Sequence, residues 1–250
     1  PEISKEIFVE GMAELIKLDD RWIPNEDETS LYIRPFMFAT DGFLGVKTSD
    51  DYRFMIINSP AGPYYSHPMS IFVQSQFVRA VKGGIGFTKA AGNYGASMFP
   101  TSDVKRKGYD QILWTDAFEH KYVQEIGTMN VFFIIDGKAV TPDLNAGTIL
   151  AGVTRDSVIA LLKDNGITVE ERPISIEELE EAFKAGKLEE AFGTGTAASM
   201  SLIQDLTYND FKMTLKPAAE FPISNKIKKQ LDDIRYGRAT DKFNWLHKVK

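Results

Sequence analysis

The sequence predicts a mixed α+β protein of two domains, and three observations carry that expectation. Helical and strand-like hydrophobic spacings are interspersed along the chain, with no internal repeat. A stretch rich in proline and glycine, Ser59-Pro60-Ala61-Gly62-Pro63 continuing through His67-Pro68, separates a short first part from a longer second one. The chain has 250 residues, 43% of them hydrophobic, enough for one large core and a modest second one. The expected division is a small α/β domain over 1–60, a linker over 61–74 and a large domain over 75–250.

Composition removes several function classes. A net charge of -6 lacks the basic footprint that duplex nucleic acid demands. The absence of cysteine excludes disulfides, thiolate catalysis and cysteine-ligated zinc. His67, His120 and His247 lie far apart in sequence, so no metal site is expected. No apolar run reaches the length of a membrane span and no signal peptide opens the chain, which gives a cytoplasmic expectation. The first residue is Pro1 rather than methionine, so the start is not expected to be the natural one.

In chain order, Ile3 to Leu18 places Ile7, Phe8, Met12, Leu15 and Ile16 on one helix face, with Ser4 as cap. Ser30 to Phe38 reads as a strand broken by Pro35, which has no N–H for a ladder, so this strand is expected at an edge or a bulge there. Tyr32 and Arg34 are two apart, so they share a strand face and could offer a hydroxyl and a guanidinium to one ligand, or simply meet solvent. Asp41 to Val46 reads as a turn with Leu44 and Val46 at its apolar tip, and Tyr52 to Asn58 as a second strand.

The stretch Gly83 to Ser97, GGIGFTKAAGNYGAS, sets Lys89 among small residues. Taken alone, a lysine ending a glycine-rich turn usually points to water. The same packaging also lets a backbone approach a ligand and clears the surroundings of an amine, which, once desolvated, attacks carbonyls. Tyr94 to Gly108 then reads as a helix closed by Lys105-Arg106-Lys107, cations that complement its dipole.

Gln111 to Trp114, Tyr122 to Ile126 and Val131 to Ile135 read as strands. Glu125 ends the second of them, either as an exposed edge residue or as a buried carboxylate that needs a cation opposite. Leu150-Ala151-Gly152-Val153-Thr154-Arg155 opens a helix over Asp156 to Lys163; such a turn presents free N–H groups to a phosphate, or Thr154 simply caps it. Ile167 to Ile174 reads as a strand, and Ser175-Ile176-Glu177-Glu178 as a capping box whose acidic face is solvated. Gly193-Thr194-Gly195-Thr196-Ala197-Ala198 can form an anion nest. A last helix over Ser224 to Arg235 and the tail Phe243 to Leu246 are expected to close the large domain.

Taken in this order, the segments around Tyr32, Lys89, Glu125, Gly152 and Thr196 resemble the branched-chain amino acid aminotransferases, fold type IV enzymes that use pyridoxal 5'-phosphate. The resemblance covers nearly the whole chain and implies a partial small domain joined to a large pseudo-barrel domain. It implies that Lys89 is the catalytic lysine that carries the cofactor. Tyr94 then meets the phenolic oxygen, Glu125 the ring nitrogen and Leu150 the ring face. Val153, Thr154 and Thr196 hold the phosphate.

For the substrate, the resemblance puts Tyr32 and Arg34 in the side-chain pocket, with Arg34 helping to hold the distal carboxylate of glutamate. Leu44 and Val46 close the partner subunit's hydrophobic pocket in a homodimer. Thr128 and Asn130 lie near the substrate, and Thr196 with Ala197 presents amides to the α-carboxylate. The implied reaction is transamination of leucine, isoleucine or valine with 2-oxoglutarate. Two rival readings stand beside it: another fold type IV enzyme, such as a D-amino acid aminotransferase or an aminodeoxychorismate lyase, and a non-catalytic fragment. Tyr32-Ile33-Arg34-Pro35 and Gly127-Thr128-Met129-Asn130 favour the branched-chain group. Ala198 and Ser201 stand where some members carry a Cys-x-x-Cys pair, which excludes a thiol switch there. The resemblance starts partway into the small domain and so implies preceding strands with an additional phosphate-binding arginine and several pocket aromatics.

Overall fold

The computed structural model describes residues 1–249, and the chain divides into two compact units. The first comprises residues 1–64 with the C-terminal segment from Lys242, the second residues 65–241. The tail, expected with the large domain, therefore goes with the first unit. After the last helix the chain turns at Gly237, in the left-handed region at φ 67°.

In the first unit, helix α1 (Lys5–Leu18) starts at Ser4, whose hydroxyl accepts the Ile7 N–H at 3.3 Å. Strands β1 (Ser30–Ala39) and β2 (Tyr52–Ala61) form an antiparallel ladder, Ser30 opposite Ala61 and Ala39 opposite Tyr52. The strand runs unbroken through Pro35, at the edge position expected for it. Pro35 lies opposite Ile56 in a ladder of two strands, where the outer edge needs no donor. The β1–β2 loop is held at its base by Asp41, which accepts the amides of Asp50 and Asp51 at 3.0 Å and the Lys47 ammonium at 2.7 Å. Those bonds, the Lys47 ammonium first, hold the Asp41 carboxyl down at about 2. Leu44 and Val46, at the tip, are fully exposed.

The stretch expected as linker over 61–74 is shorter than that. Strand β2 runs to Ala61, the units divide between Tyr64 and Tyr65, and Met69–Val73 is strand β3 of the second unit. Met69, Ile71 and Val73 alternate into the core, a pattern too short to stand out after His67-Pro68.

The second unit is built on a nine-stranded mixed sheet. Its other strands are β4 (Gln111–Thr115), β5 (Val123–Ile126), β6 (Asn130–Ile135), β7 (Lys138–Thr141), β8 (Val169–Glu171), β9 (Leu188–Gly195), β10 (Ser199–Tyr208) and β11 (Phe211–Thr214). The order is β5-β4-β3-β10-β9-β6-β7-β8, with β11 on β10. Pairs β3–β4, β3–β10 and β7–β8 are parallel and the rest antiparallel. The two ends of this order meet. The Val123 N–H donates to the Ile174 carbonyl and the Ile176 N–H to the Lys121 carbonyl, both at 2.9 Å, around an antiparallel bridge between Tyr122 and Ser175. The sheet thus curls onto itself, and the mixed α+β class with a pseudo-barrel domain is what the sequence led us to expect.

Helices α2 (Ala91–Arg106), α3 (Val153–Asp164), α4 (Ile176–Lys184) and α5 (Pro222–Arg235) complete the unit. The Ser175 hydroxyl accepts the Glu178 N–H at 3.0 Å, the capping bond read from the sequence. Glu178 is also paired with Arg172 at 2.6 Å, so its side chain is engaged rather than simply solvated. In the core, Trp114, Phe132, Phe133 and Phe192 are fully buried, and Phe132 stacks on its cross-strand partner Phe192 at 5.1 Å. Among the described residues no helix is long and apolar enough to cross a membrane, and no cluster of metal ligands occurs.

Helix α5 has no cap of its own; strand β9 supplies one. Buried Glu190 accepts the N–H groups of Ile223 at 2.9 Å and Ser224 at 2.6 Å, and the Ser224 hydroxyl. Removing one acceptor strands these donors, each unpaired buried group costing about 1–3 kcal/mol. Glu190→Ala should therefore lower stability by about 3 kcal/mol in urea unfolding, and Glu190→Gln by less, because its amide oxygen still accepts.

Candidate active site

The site is assembled around Glu125, whose side chain is 2% exposed at the middle of β5. Its Oε2 accepts the Arg79 Nε–H at 2.9 Å. Its Oε1 accepts the Leu150 N–H at 2.8 Å and the Asn130 Nδ2–H at 3.4 Å. A carboxylate has about four lone-pair sites, so this one keeps room for a further donor. Burial dominates its ionisation and pushes the Glu125 carboxyl up to about 7, opposed by the Arg79 guanidinium, the Leu150 amide and the charge of Lys89.

Arg79 is the residue the sequence reading missed. Its side chain is 4% exposed. One terminal nitrogen donates to the Thr148 carbonyl at 2.7 Å, and the guanidinium also reaches the Gly86 carbonyl at 3.3 Å. Gly86 has to be glycine here, because a Cβ would stand 2.4 Å from Ala80 Cβ and 2.7 Å from the Thr148 carbonyl oxygen. Arg79 thus ties the glycine loop ahead of Lys89 to the turn ahead of Leu150.

Lys89 ends that loop just before α2. Its side chain is exposed, the water-facing alternative of the two that the sequence offers. The loop itself is held from behind by Asn93, whose amide donates to the carbonyls of Ile85 at 2.9 Å and Thr88 at 3.0 Å. The asparagine of Gly-Asn-Tyr therefore shapes the turn that presents the lysine. Tyr94 follows, half-buried in the first turn of α2.

Asn130, at the start of β6, also donates to the Leu150 carbonyl at 2.8 Å and lies in register with Thr194 on β9. Thr194 is buried, and its hydroxyl has no partner among the described residues. Thr196 and Ala197 lie exposed in the turn just beyond it, and Thr128 is exposed in the turn before Asn130. Val153 and Thr154 open α3 directly after Gly152, the helix cap, and no side chain caps that end. A Cβ on Gly152 would fall 2.1 Å from Asn130 Oδ1. In the second unit, then, these contacts bring Lys89, Glu125, Leu150 and the start of α3 into one neighbourhood, with Thr128 and the Thr196 turn along the same strands.

Tyr32, Arg34, Leu44 and Val46 belong to the first unit. Tyr32 and Arg34 do share a face: Arg34 donates to the Tyr32 hydroxyl at 3.1 Å and lies over its ring at 5.0 Å.

With the geometry in hand, the class of protein is settled by comparison. The model of the amino-transferase class IV family matches residues 2–205, and the chain belongs to that family of enzymes. Within it, the chain is similar to branched-chain-amino-acid aminotransferases. It is 48% identical over 252 residues to branched-chain-amino-acid aminotransferase 2 of Bacillus subtilis, covering all of this chain and 69% of that protein. It is 45% identical over 253 residues to a probable branched-chain-amino-acid aminotransferase of Staphylococcus epidermidis, covering all of this chain and 70% of the relative. Among solved structures it superposes on the Escherichia coli branched-chain enzyme with a TM-score of 0.82 at 26% identity, over 100% of this chain and 78% of that one. The Thermobaculum terrenum enzyme, solved in its PLP form, gives 0.80 at 25% identity, over 100% of this chain and 76% of that one.

Two outcomes are expected. The folded value of Glu125, about 7, lies above the unfolded 4.5, so its contribution to stability is complete below 4.5 and is lost as pH rises through 7. Urea unfolding of the chain without added cofactor, compared with Glu125→Gln at several pH values, should show the difference moving in the variant's favour between pH 5 and pH 8, by on the order of 3 kcal/mol. Gly152→Ala should displace the Asn130 amide and destabilise the fold by roughly 1–3 kcal/mol in the same assay.

Proposed function

We propose that the chain catalyses pyridoxal-phosphate-dependent transamination of leucine, isoleucine or valine with 2-oxoglutarate, giving branched 2-oxo acids and glutamate. The observation that carries this reading is the buried carboxylate of Glu125, held by Arg79, Leu150 and Asn130 within the field of Lys89 and with an acceptor position to spare. The residues fit such a cofactor. The unpartnered Thr194 hydroxyl and the uncapped start of α3, where Gly152 leaves no room for a side chain, are the kind of groups that receive a phosphorylated ring.

In this reading Lys89 carries the cofactor, Tyr94 meets its phenolic oxygen, Glu125 its ring nitrogen and Leu150 its ring face, while Val153, Thr154 and Thr196 hold its phosphate. Pyridoxal phosphate, when bound, supplies an electron-withdrawing ring that accepts the electron pair left as the substrate Cα loses its proton. Lys89 Nζ would remove the proton from the Cα of the donor amino acid and, in the second half-reaction, deliver one to the Cα formed from 2-oxoglutarate. Thr196 and Ala197 orient the α-carboxylate through their amides, and Thr128 borders the substrate. Tyr32 and Arg34 take up the distal carboxylate of glutamate, with Arg34 as a charge-assisted donor. Leu44 and Val46, fully exposed on their loop, close the partner subunit's apolar pocket in a homodimer. The branched-chain specificity is supported by the names of the relatives.

The purified chain mixed with pyridoxal phosphate should develop a visible absorption band that leucine bleaches and 2-oxoglutarate restores, and Lys89→Ala should lack it. A wild-type chain without a Lys89-dependent band, or one whose band ignores leucine, would sink this reading.

A further inference from the structure

A carboxylate opposite a ring nitrogen shares one proton with it, and that proton can rest on either side. With the proton on nitrogen, the ring is the stronger electron acceptor. With it on the carboxyl, Glu125 is merely a neutral hydrogen-bond donor. Burial drives Glu125 toward the second arrangement.

Two groups oppose that drift by charge, Arg79 and Lys89. Lys89 is exposed, and in the proposed reaction its amine is engaged elsewhere. Arg79 is buried beside the carboxylate and is fixed by the carbonyls of Thr148 and Gly86 as well as by Glu125, and a guanidinium is the cation best suited to a buried pair with a carboxylate. Asn130 and the Leu150 amide add hydrogen bonds but no charge. The guanidinium is therefore the buried cation on this side of the site.

Resting on the functional reading above, we propose that Arg79 is a positioning residue of the reaction: its Nε–H keeps Glu125 ionised and oriented, so that the shared proton stays on the cofactor's ring nitrogen. Its remaining donors keep the loop that ends at Lys89 and the turn that ends at Leu150 in place around that carboxylate.

The test begins without cofactor. In chains carrying ¹³C-labelled glutamate side-chain carboxyls, with the Glu125 signal assigned from Glu125→Gln, the titration midpoint should rise by roughly 1 to 3 pH units in Arg79→Met and return toward the wild-type value in Arg79→Lys. With ring-¹⁵N-labelled pyridoxal phosphate bound, the nitrogen signal should be that of a protonated ring in the wild type and in Arg79→Lys, and should move toward the unprotonated position in Arg79→Met. Should Arg79→Met fail to fold, the ¹⁵Nε signal of Arg79 in the wild-type chain serves instead. It should be protected from exchange and shift with the Glu125 midpoint, and an Nε signal indifferent to that titration overturns the proposal. A Glu125 midpoint and ring-nitrogen signal both unmoved in a folded Arg79→Met, beside a normal Lys89-dependent band, overturn the role of Arg79 alone. If the wild type shows no such band, the functional reading falls and takes this inference with it, whatever the first titration shows.

Discussion

The second unit depends on one buried ion pair, between Arg79 and Glu125. Withdrawing two charges from water costs several kcal/mol per ion unless each is met by further partners. Here each is: the guanidinium by two backbone carbonyls, the carboxylate by a backbone amide and a side-chain amide. Those partners come from the glycine loop, from β6 and from the turn before α3. The pair therefore locks three separate stretches of chain into one arrangement. It does so where geometry matters most, since a loosely held carboxylate could not hold a fixed relation to the lysine or to the start of α3.

How much of this could be read beforehand varied with the range of the interaction. Local signals were legible: Ser4 and Ser175 cap the helices they precede, whereas Lys89, Glu125, Leu150 and Val153 were singled out through the resemblance of their segments to one family. Arg79 was not, although it is as central as any of them. It stands in an undistinguished run after Gln76-Phe77-Val78, and its acidic partner lies far along the chain. Nothing near an arginine in sequence says whether it will be buried. The same limit explains the linker: Met69 to Val73 has five residues, too few for alternation to declare itself beside two prolines.

Other differences arise from context that only the fold supplies. Pro35 would break a central strand but is harmless in a ladder of two. Lys89 looked packaged because small residues surround it in sequence, yet small residues near an amine also leave it open, and the side chain is exposed. Asn93 carries no signal of its own in the sequence, yet it braces the loop through two carbonyls.

The strand order has a consequence for how the protein comes to exist. Strand β3 lies inside the sheet, between β4 and β10, and the Ser70 hydroxyl bonds Asp205, 135 residues later. During synthesis β3 leaves the ribosome long before β10, the later of its two parallel neighbours, has been translated. Met69, Ile71 and Val73, fully buried at the end, must wait with one side uncovered. Pairing across so many residues is slow to form and exposes a sticky edge meanwhile. The nascent chain is thus at its most vulnerable through the middle of translation, and β3 is covered on both sides only when β10 arrives.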